Sequence, residues 1–396
     1  MKKVYLDYSA TTPVKQEVVD AMIPYFTIGY GNPSSIHSFG REAKKDVNIA
    51  REKVARLIGA NTQEVYFTAG GSESDNWALK TVMRDAKARN KGNHLITTKI
   101  EHHAILHSCE ALEKEGFEVT YLDVDSIGMI SLEDLESSIR PDTVMLSIMF
   151  TNNEIGTIEP IEAIGKIARK HGLIFHTDAV QAVGNTPIDV DKLNIDLLSM
   201  SAHKIYGPKG VGALYARKGI RLLPFVHGGA QEKKRRAGTE NVPAIVGFGV
   251  AADLAREGLE AHIERLTNMR EKLRAGIMDR IPYTKYNGHP TKRHPGNVHI
   301  CFEFIEGEAL LLSLDLVGIG GSSGSACTSG SLDPSHVLLS IGLTHEIAHG
   351  SLRLTIGDLT TEEDIDYVIE QLPPIINKLR LMSPLYERVL GESKNV

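Results

Sequence analysis

Only three cysteines occur in the 396-residue chain, Cys109, Cys301 and Cys327, and no two of them stand in a C-x-x-C pair. Three such thiols cannot build a disulfide framework, so a reducing compartment, the cytoplasm, is expected. Long apolar runs are missing too. The stretch after Lys2 and Lys3 is broken at once by Asp7, which fits neither a signal peptide nor a membrane span. Positive charge is in short supply, with a formal net charge of -6 and a pI near 6.3. The longest basic run, residues 233–236, is bracketed by Glu232 and Glu240. This balance argues against a nucleic-acid partner. It leaves a small anionic substrate open, because the local charge of a cleft matters more than the total. Neither a G-x-G-x-x-G turn nor a Walker A lysine is present, which removes the usual signatures of dinucleotide and P-loop binding.

What remains is the composition of an ordinary globular protein, 42% hydrophobic and 24% charged, with 36 glycines for turns. Its length exceeds what one core usually holds, so two lobes are expected. Between residues 61 and 215, short apolar segments alternate with amphipathic ones. Strands are expected over 64–68, 94–98, 118–122, 143–149, 173–177, 197–201 and 212–215, with helices over 131–139 and 161–170 among them. Such alternation predicts an α/β domain with a mainly parallel sheet. Residues 251–278 read as a charged helix bridging the lobes, and 297–304 and 351–356 as strands of a smaller α+β lobe. The first dozen residues fit either lobe.

Parallel sheets of this kind place ligands beyond the carboxyl ends of their strands. After 64–68 comes a Gly70-Gly71-Ser72 turn into a helix, with Ser72 the expected N-cap, which suits phosphate. After the next strands come His102, then Asn153, then Asp178 with Gln181, then His203 and Lys204 following Ser201. Pyridoxal phosphate (PLP) needs this set of groups. A lysine, Lys204, holds its aldehyde as a Schiff base, and a carboxylate, Asp178, keeps the pyridine nitrogen protonated. His102 suits a ring covering the cofactor face, and Gln181 and Asn153 suit donors near the ring oxygen. Gly71, Ser72, Ser201 and His203 suit the phosphate. Lys209, in a Gly-Pro-Lys-Gly turn, is a rival for the Schiff base. His103 and His107 have helical i, i+4 spacing, but with no H-E-x-x-H pattern and no evident third ligand no metal is expected.

Two further features stand apart from the sheet. Cys327 lies in the serine- and glycine-rich stretch 320–331, with no apolar neighbours to bury it. That suits a nucleophile that must visit two places rather than a core thiol, the role that fits Cys109 and Cys301. Arg353, in a strand-like segment, suits a two-pronged clamp for a substrate carboxylate, and Asn153 is a second candidate for substrate binding.

With these residues in view, the chain resembles the PLP-dependent cysteine desulfurases, in their NifS/IscS-like branch. The matching segments are YLDYSATTP at 5–13, GNPSS at 31–35, FTAGGSESDN at 67–76 and TNNEIGTI at 151–158. They continue with HTDAVQAVG at 176–184, SAHKIYGPKG at 201–210, RRAGTENV at 235–242 and SSGSACTSG at 322–330. The resemblance implies a fold-type I PLP-dependent transferase: a large domain, residues 15–260, with a seven-stranded sheet, and a small domain from 1–14 and 261–396. It implies a homodimer in which Thr239 reaches the cofactor phosphate of the partner subunit. It further implies conversion of L-cysteine to L-alanine, with sulfur held on Cys327 as a persulfide and handed to an acceptor or scaffold protein for iron–sulfur cluster or other cofactor assembly. Selenocysteine lyase, or a PLP-binding delivery subunit of low turnover, are the alternatives. The chain departs from the family's frequent pattern at Ala230, where a third glycine is common, and at Lys233-Lys234, where Arg-Gly is common. Its C-terminus beyond Leu390 does not match the tail by which some members dock a scaffold.

Overall fold

Seven strands form one sheet in the order Val65–Thr68, Gly212–Ala216, Leu197–Ser201, Ile174–Asp178, Thr143–Ser147, His94–Thr98, Glu118–Leu122. Gly212–Ala216 alone runs against its neighbours, so Val65–Thr68 points the same way as the five remaining strands. Every residue of Leu197–Ser201 and His94–Thr98 is buried, as expected where helices cover both faces. This computed structural model describes residues 2–323 and 334–387. Cys327 lies outside the described residues.

Local sequence explains the elements. Ile161–His171 carries Ile161, Ile164 and Ala168 on one buried face and basic residues in its last turn, and it ends at Gly172 with φ 66°. That left-handed stop suits glycine and starts the next strand. The bridging helix is longer than expected, running from Val242 to Met278, because the Asn241 side chain caps its start by accepting from the Ala244 N–H. Its first turns pack into the core beneath the large sheet, while Leu266, Met269, Leu273 and Ile277 join a second core. That second core covers an antiparallel sheet of Thr284–Tyr286, Asn297–Phe302 and Ser351–Thr355. The N-terminal segment serves both bodies. Val4–Tyr5 pairs with Ile319–Gly320, and Thr12 donates to the His203 carbonyl at 3.0 Å.

Val65–Thr68 is an edge strand, and its outward backbone groups are paired by side chains rather than by another strand. Arg51 Nη1 donates to the Val65 carbonyl at 2.9 Å, and the Phe67 N–H donates to Glu232 Oε2 at 3.1 Å. Arg51 and Glu232 hold each other in a buried two-pronged pair, both contacts at 2.7 Å. The edge is thereby closed to other strands.

Reaching Arg51 forces the chain through three consecutive left-handed residues, Glu232 (φ 41°), Lys233 (φ 57°) and Lys234 (φ 63°). A side chain in that region costs roughly 1–2 kcal/mol per residue. Lys234 is exposed, and it occupies the place where glycine is common in resembling sequences. Lys234→Gly is therefore expected to raise stability by about 1 kcal/mol, read as a higher urea midpoint with an unchanged slope. An unchanged or lower midpoint would mean that the left-handed turn is not strained in solution.

Candidate active site

The strands that run together end on one cavity of about 320 Å³. Val65–Thr68 leads through Gly70 into the helix Gly71–Ala88. Gly70, not Ser72, is the N-cap, and no side chain caps this start. The correction strengthens the anion reading, because the first N–H groups of an 18-residue helix are left without a protein side chain to accept from them. Gly71 has to be glycine: a Cβ there would stand 2.6 Å from Val180 Cγ2. Gly71, Ser72, His102, Asn153, Asp178, Gln181, Ser201, His203, Lys204 and Arg353 all line the cavity. Lys209 is exposed and does not.

Lys204 lies in the short 3-10 turn Ala202–Lys204 that follows its strand. Its Nζ donates to the Ser9 carbonyl and, at 2.8 Å, to that of Ala10. Gln181 Nε2 donates to the same Ser9 carbonyl at 3.0 Å. The N-terminal segment is thus part of the site, although nothing in its residue types alone pointed there. Asp178 ends its strand buried, and its Oδ1 accepts the Val180 N–H at 2.9 Å. Burial raises its pKa, while His102, that N–H and the Lys204 ammonium pull it back. A cationic ring nitrogen beside it would relieve the same penalty.

Burial likewise lowers the pKa of His102, with Lys204 adding to the shift and Asp178 opposing it. The His102 imidazole is therefore neutral at pH 7. Its Nδ1 accepts the Ala104 N–H at 3.1 Å, which leaves the proton on Nε2. His203 is lowered to about 4, chiefly by burial and then by Lys204 and Lys209, and its Nδ1 lies 3.1 Å from the Thr11 hydroxyl.

Arg353 is 3% exposed. Nη1 donates to the Asn153 carbonyl at 3.0 Å, Nη2 reaches Asp7 Oδ1 at 3.0 Å, and Nε has no acceptor. A buried guanidinium lining a cavity is what a small carboxylate needs. Asp7 was missed as its orienting partner, since nothing local marks a contact spanning 346 residues. Asp75, Glu101, Glu154 and His336 also line the cavity unassigned. Burial pushes the first two carboxyls well up, and it raises Glu154 to about 7. Cys109 and Cys301 are buried and unpaired with raised thiol pKa values, which makes both poor nucleophiles. His103 stacks on His107 and lies 4.9 Å from His336, ring to ring. Among the described residues no cluster of three or more ligands is arranged for a metal.

The residues fit PLP: an uncapped helix start for a phosphate, a strand-end lysine for an aldehyde, and a buried carboxylate for a ring cation. A site of this kind on a mostly parallel sheet defines a class of PLP-dependent transferases, and residues 4–368 match the Aminotransferase class-V family. Cysteine desulfurase IscS of Methanosarcina thermophila is 58% identical over 97% of this chain and 94% of its own length. Cysteine desulfurase IscS of Clostridium botulinum strain Hall is 58% identical over 98% and 97% respectively. A solved NifS-like protein superimposes with a TM-score of 0.90 at 39% identity, over 96% of this chain and all of its own. The chain belongs to the class-V aminotransferase family, within its PLP-dependent NifS/IscS-like cysteine desulfurases.

Proposed function

We propose that this cysteine desulfurase works through Lys204, His102, Asp178 and Arg353 in the cavity and through Cys327 as first sulfur acceptor. The observation that carries the reading is the meeting of a strand-end lysine, a buried carboxylate and a buried arginine in one pocket. PLP, when bound, supplies an aldehyde for the substrate amine and a ring that takes up negative charge. Arg353 binds the cysteine carboxylate through its guanidinium, held in place by Asp7 and the Asn153 carbonyl. Lys204 would anchor the cofactor and, once released from it as the neutral amine, would take the α-proton. Gln181 and Asn153 tune the ring oxygen, and Gly71, Ser72, Ser201 and His203 hold the phosphate. Neutral His102 carries a proton to or from the substrate thiol. The Cys327 thiolate attacks the substrate sulfur. The carbon–sulfur bond breaks, the carbon gains a proton, and the products are L-alanine and a Cys327 persulfide.

A division into two lobes, 15–260 and 1–14 with 261–396, is supported by the separate cores that the two ends of the helix Val242–Met278 enter, the boundary falling inside that helix. A homodimer is supported by exposed apolar side chains on one segment, Ile23, Phe26, Ile28, Tyr30, Ile36 and Phe39. Monomers rarely leave so many together. Thr239 is exposed and does not line the cavity of its own chain, which suits donation to the partner's phosphate. No described helix is long and apolar enough to cross a membrane. A cytoplasmic setting accords with the two buried, unpaired thiols, and delivery to an iron–sulfur scaffold accords with the family.

Intact-protein mass spectrometry after adding L-cysteine tests the route. One added sulfur atom, mapped to Cys327, is expected in the wild type and not in Cys327→Ala, with the visible PLP band responding to cysteine in both. Sulfur mapped to Cys109 or Cys301 would sink the assignment.

A further inference from the structure

The loop that carries Thr239 is tied at two points to the phosphate turn of its own subunit. Arg236 grips Glu73 with both prongs, Nε to Oε1 at 2.9 Å and Nη2 to Oε2 at 3.2 Å. Glu73 Oε2 also accepts the Ala69 N–H at 2.9 Å, so the carboxylate spans the turn Gly70-Gly71-Ser72. The second tie is Glu232, which binds Arg51 and the Phe67 N–H on the strand feeding that turn. Beyond the tip, Glu240 is buried and takes Lys44 Nζ at 2.8 Å. Thr239 thus stands exposed between two fixed residues, Arg236 and Glu240.

We propose that Arg236 is a positioning residue for the cofactor site of the neighbouring subunit: its two-pronged pair with Glu73 aims Thr239 across the dimer. This rests on the homodimer reading above and adds the part of the chain that directs the arm. The Arg236 and Glu73 side chains are only 25% and 16% exposed, so the pair is shielded better than an ordinary surface bridge and keeps its geometry. An arm ordered before it meets the phosphate does not lose that freedom on binding. The same carboxylate that braces one subunit's phosphate turn therefore holds the arm that serves the other.

PLP titration of the apo-protein, followed by visible absorption, measures the effect. Arg236→Ala is expected to weaken PLP binding about tenfold, the loss of one charge-assisted contact at the phosphate. Mixed dimers decide the direction. One subunit carries Lys204→Ala with an intact loop, and the other carries Arg236→Ala with Lys204 present. Only the second site gives the lysine-linked band, and it is served by the intact arm, so wild-type affinity is expected there. If that site stays as weak as in the Arg236→Ala homodimer, Arg236 acts within its own subunit and the proposal is overturned. Wild-type affinity in the Arg236→Ala homodimer overturns it equally. Arg236→Lys, which keeps the charge and loses the fork, should show the same pattern at about a threefold loss, and it stands in if the alanine variant does not fold. Thr239→Ala in both formats tests the underlying reading separately. No effect of that variant, or a monomer by light scattering, would bring down the homodimer arm itself.

Discussion

Lys204→Ala is expected to lower alanine formation from L-cysteine by at least about 10⁴-fold, because one amine both anchors the cofactor and moves the α-proton. The cavity wall otherwise survives the change, since the helix start at Gly71 and the residues around Asp178 are untouched. The protein should therefore still take up PLP, with a changed visible band. Lys204 also donates to the Ser9 and Ala10 carbonyls, so the alanine variant should melt somewhat lower. Lys204→Arg separates the two roles. It keeps donors for both carbonyls and cannot form the link to the aldehyde, so it should recover stability and remain inactive. Lys209→Ala, at an exposed position outside the cavity, should behave as wild type. Activity surviving in Lys204→Ala and lost in Lys209→Ala would reverse the assignment.

Most of this site was legible because the sheet does the gathering. Period and composition locate each strand, and a parallel sheet then requires whatever follows its strands to meet at one edge. Asp178, His102, Asn153 and Lys204 are found by that rule alone. The contacts it misses are those between distant segments. Asp7 orients Arg353, and the Ser9 and Ala10 carbonyls receive Lys204, yet neither contact has a local pattern, since any polar residue near the N-terminus fits the sequence equally well. Ser72 illustrates a second kind of miss. Serine is a favoured cap by propensity, but here the cap falls two residues earlier, at Gly70, and leaves the first N–H groups uncapped. A binding site overrides the local preference, as expected where function and stability compete. The basic run 233–236 is a third case. Charge alone does not say where each side chain goes: Arg236 pairs with Glu73 beside the phosphate turn, and Lys233 reaches the Gln63 carbonyl.

Asp178→Asn is expected to move stability and activity in opposite directions. Asparagine keeps an oxygen for the Val180 N–H and removes only the charge. In the apo-protein that charge is a burden, since burial raises the carboxyl pKa above its ordinary 3.8. The folded state then binds the proton more tightly than the unfolded chain does. By linkage, the contribution of this group to stability falls as pH rises through and above that ordinary value. The neutral variant is free of that penalty, so apo Asp178→Asn should unfold at higher denaturant than the apo wild type at pH 7, with the gap closing as pH falls toward 4. With PLP the sign reverses. The carboxylate stands at the strand end as the partner for a ring cation, and without it the ring loses much of its power to hold negative charge. Alanine formation should fall by about 10²- to 10³-fold, the scale seen when one fixed electrostatic partner is removed from a water-poor site, while the weakly responding KM reports that Arg353 still holds the substrate. A variant both less stable without cofactor and fully active with it would show that Asp178 serves packing, and that another carboxyl in the cavity, Asp75 or Glu101, faces the ring.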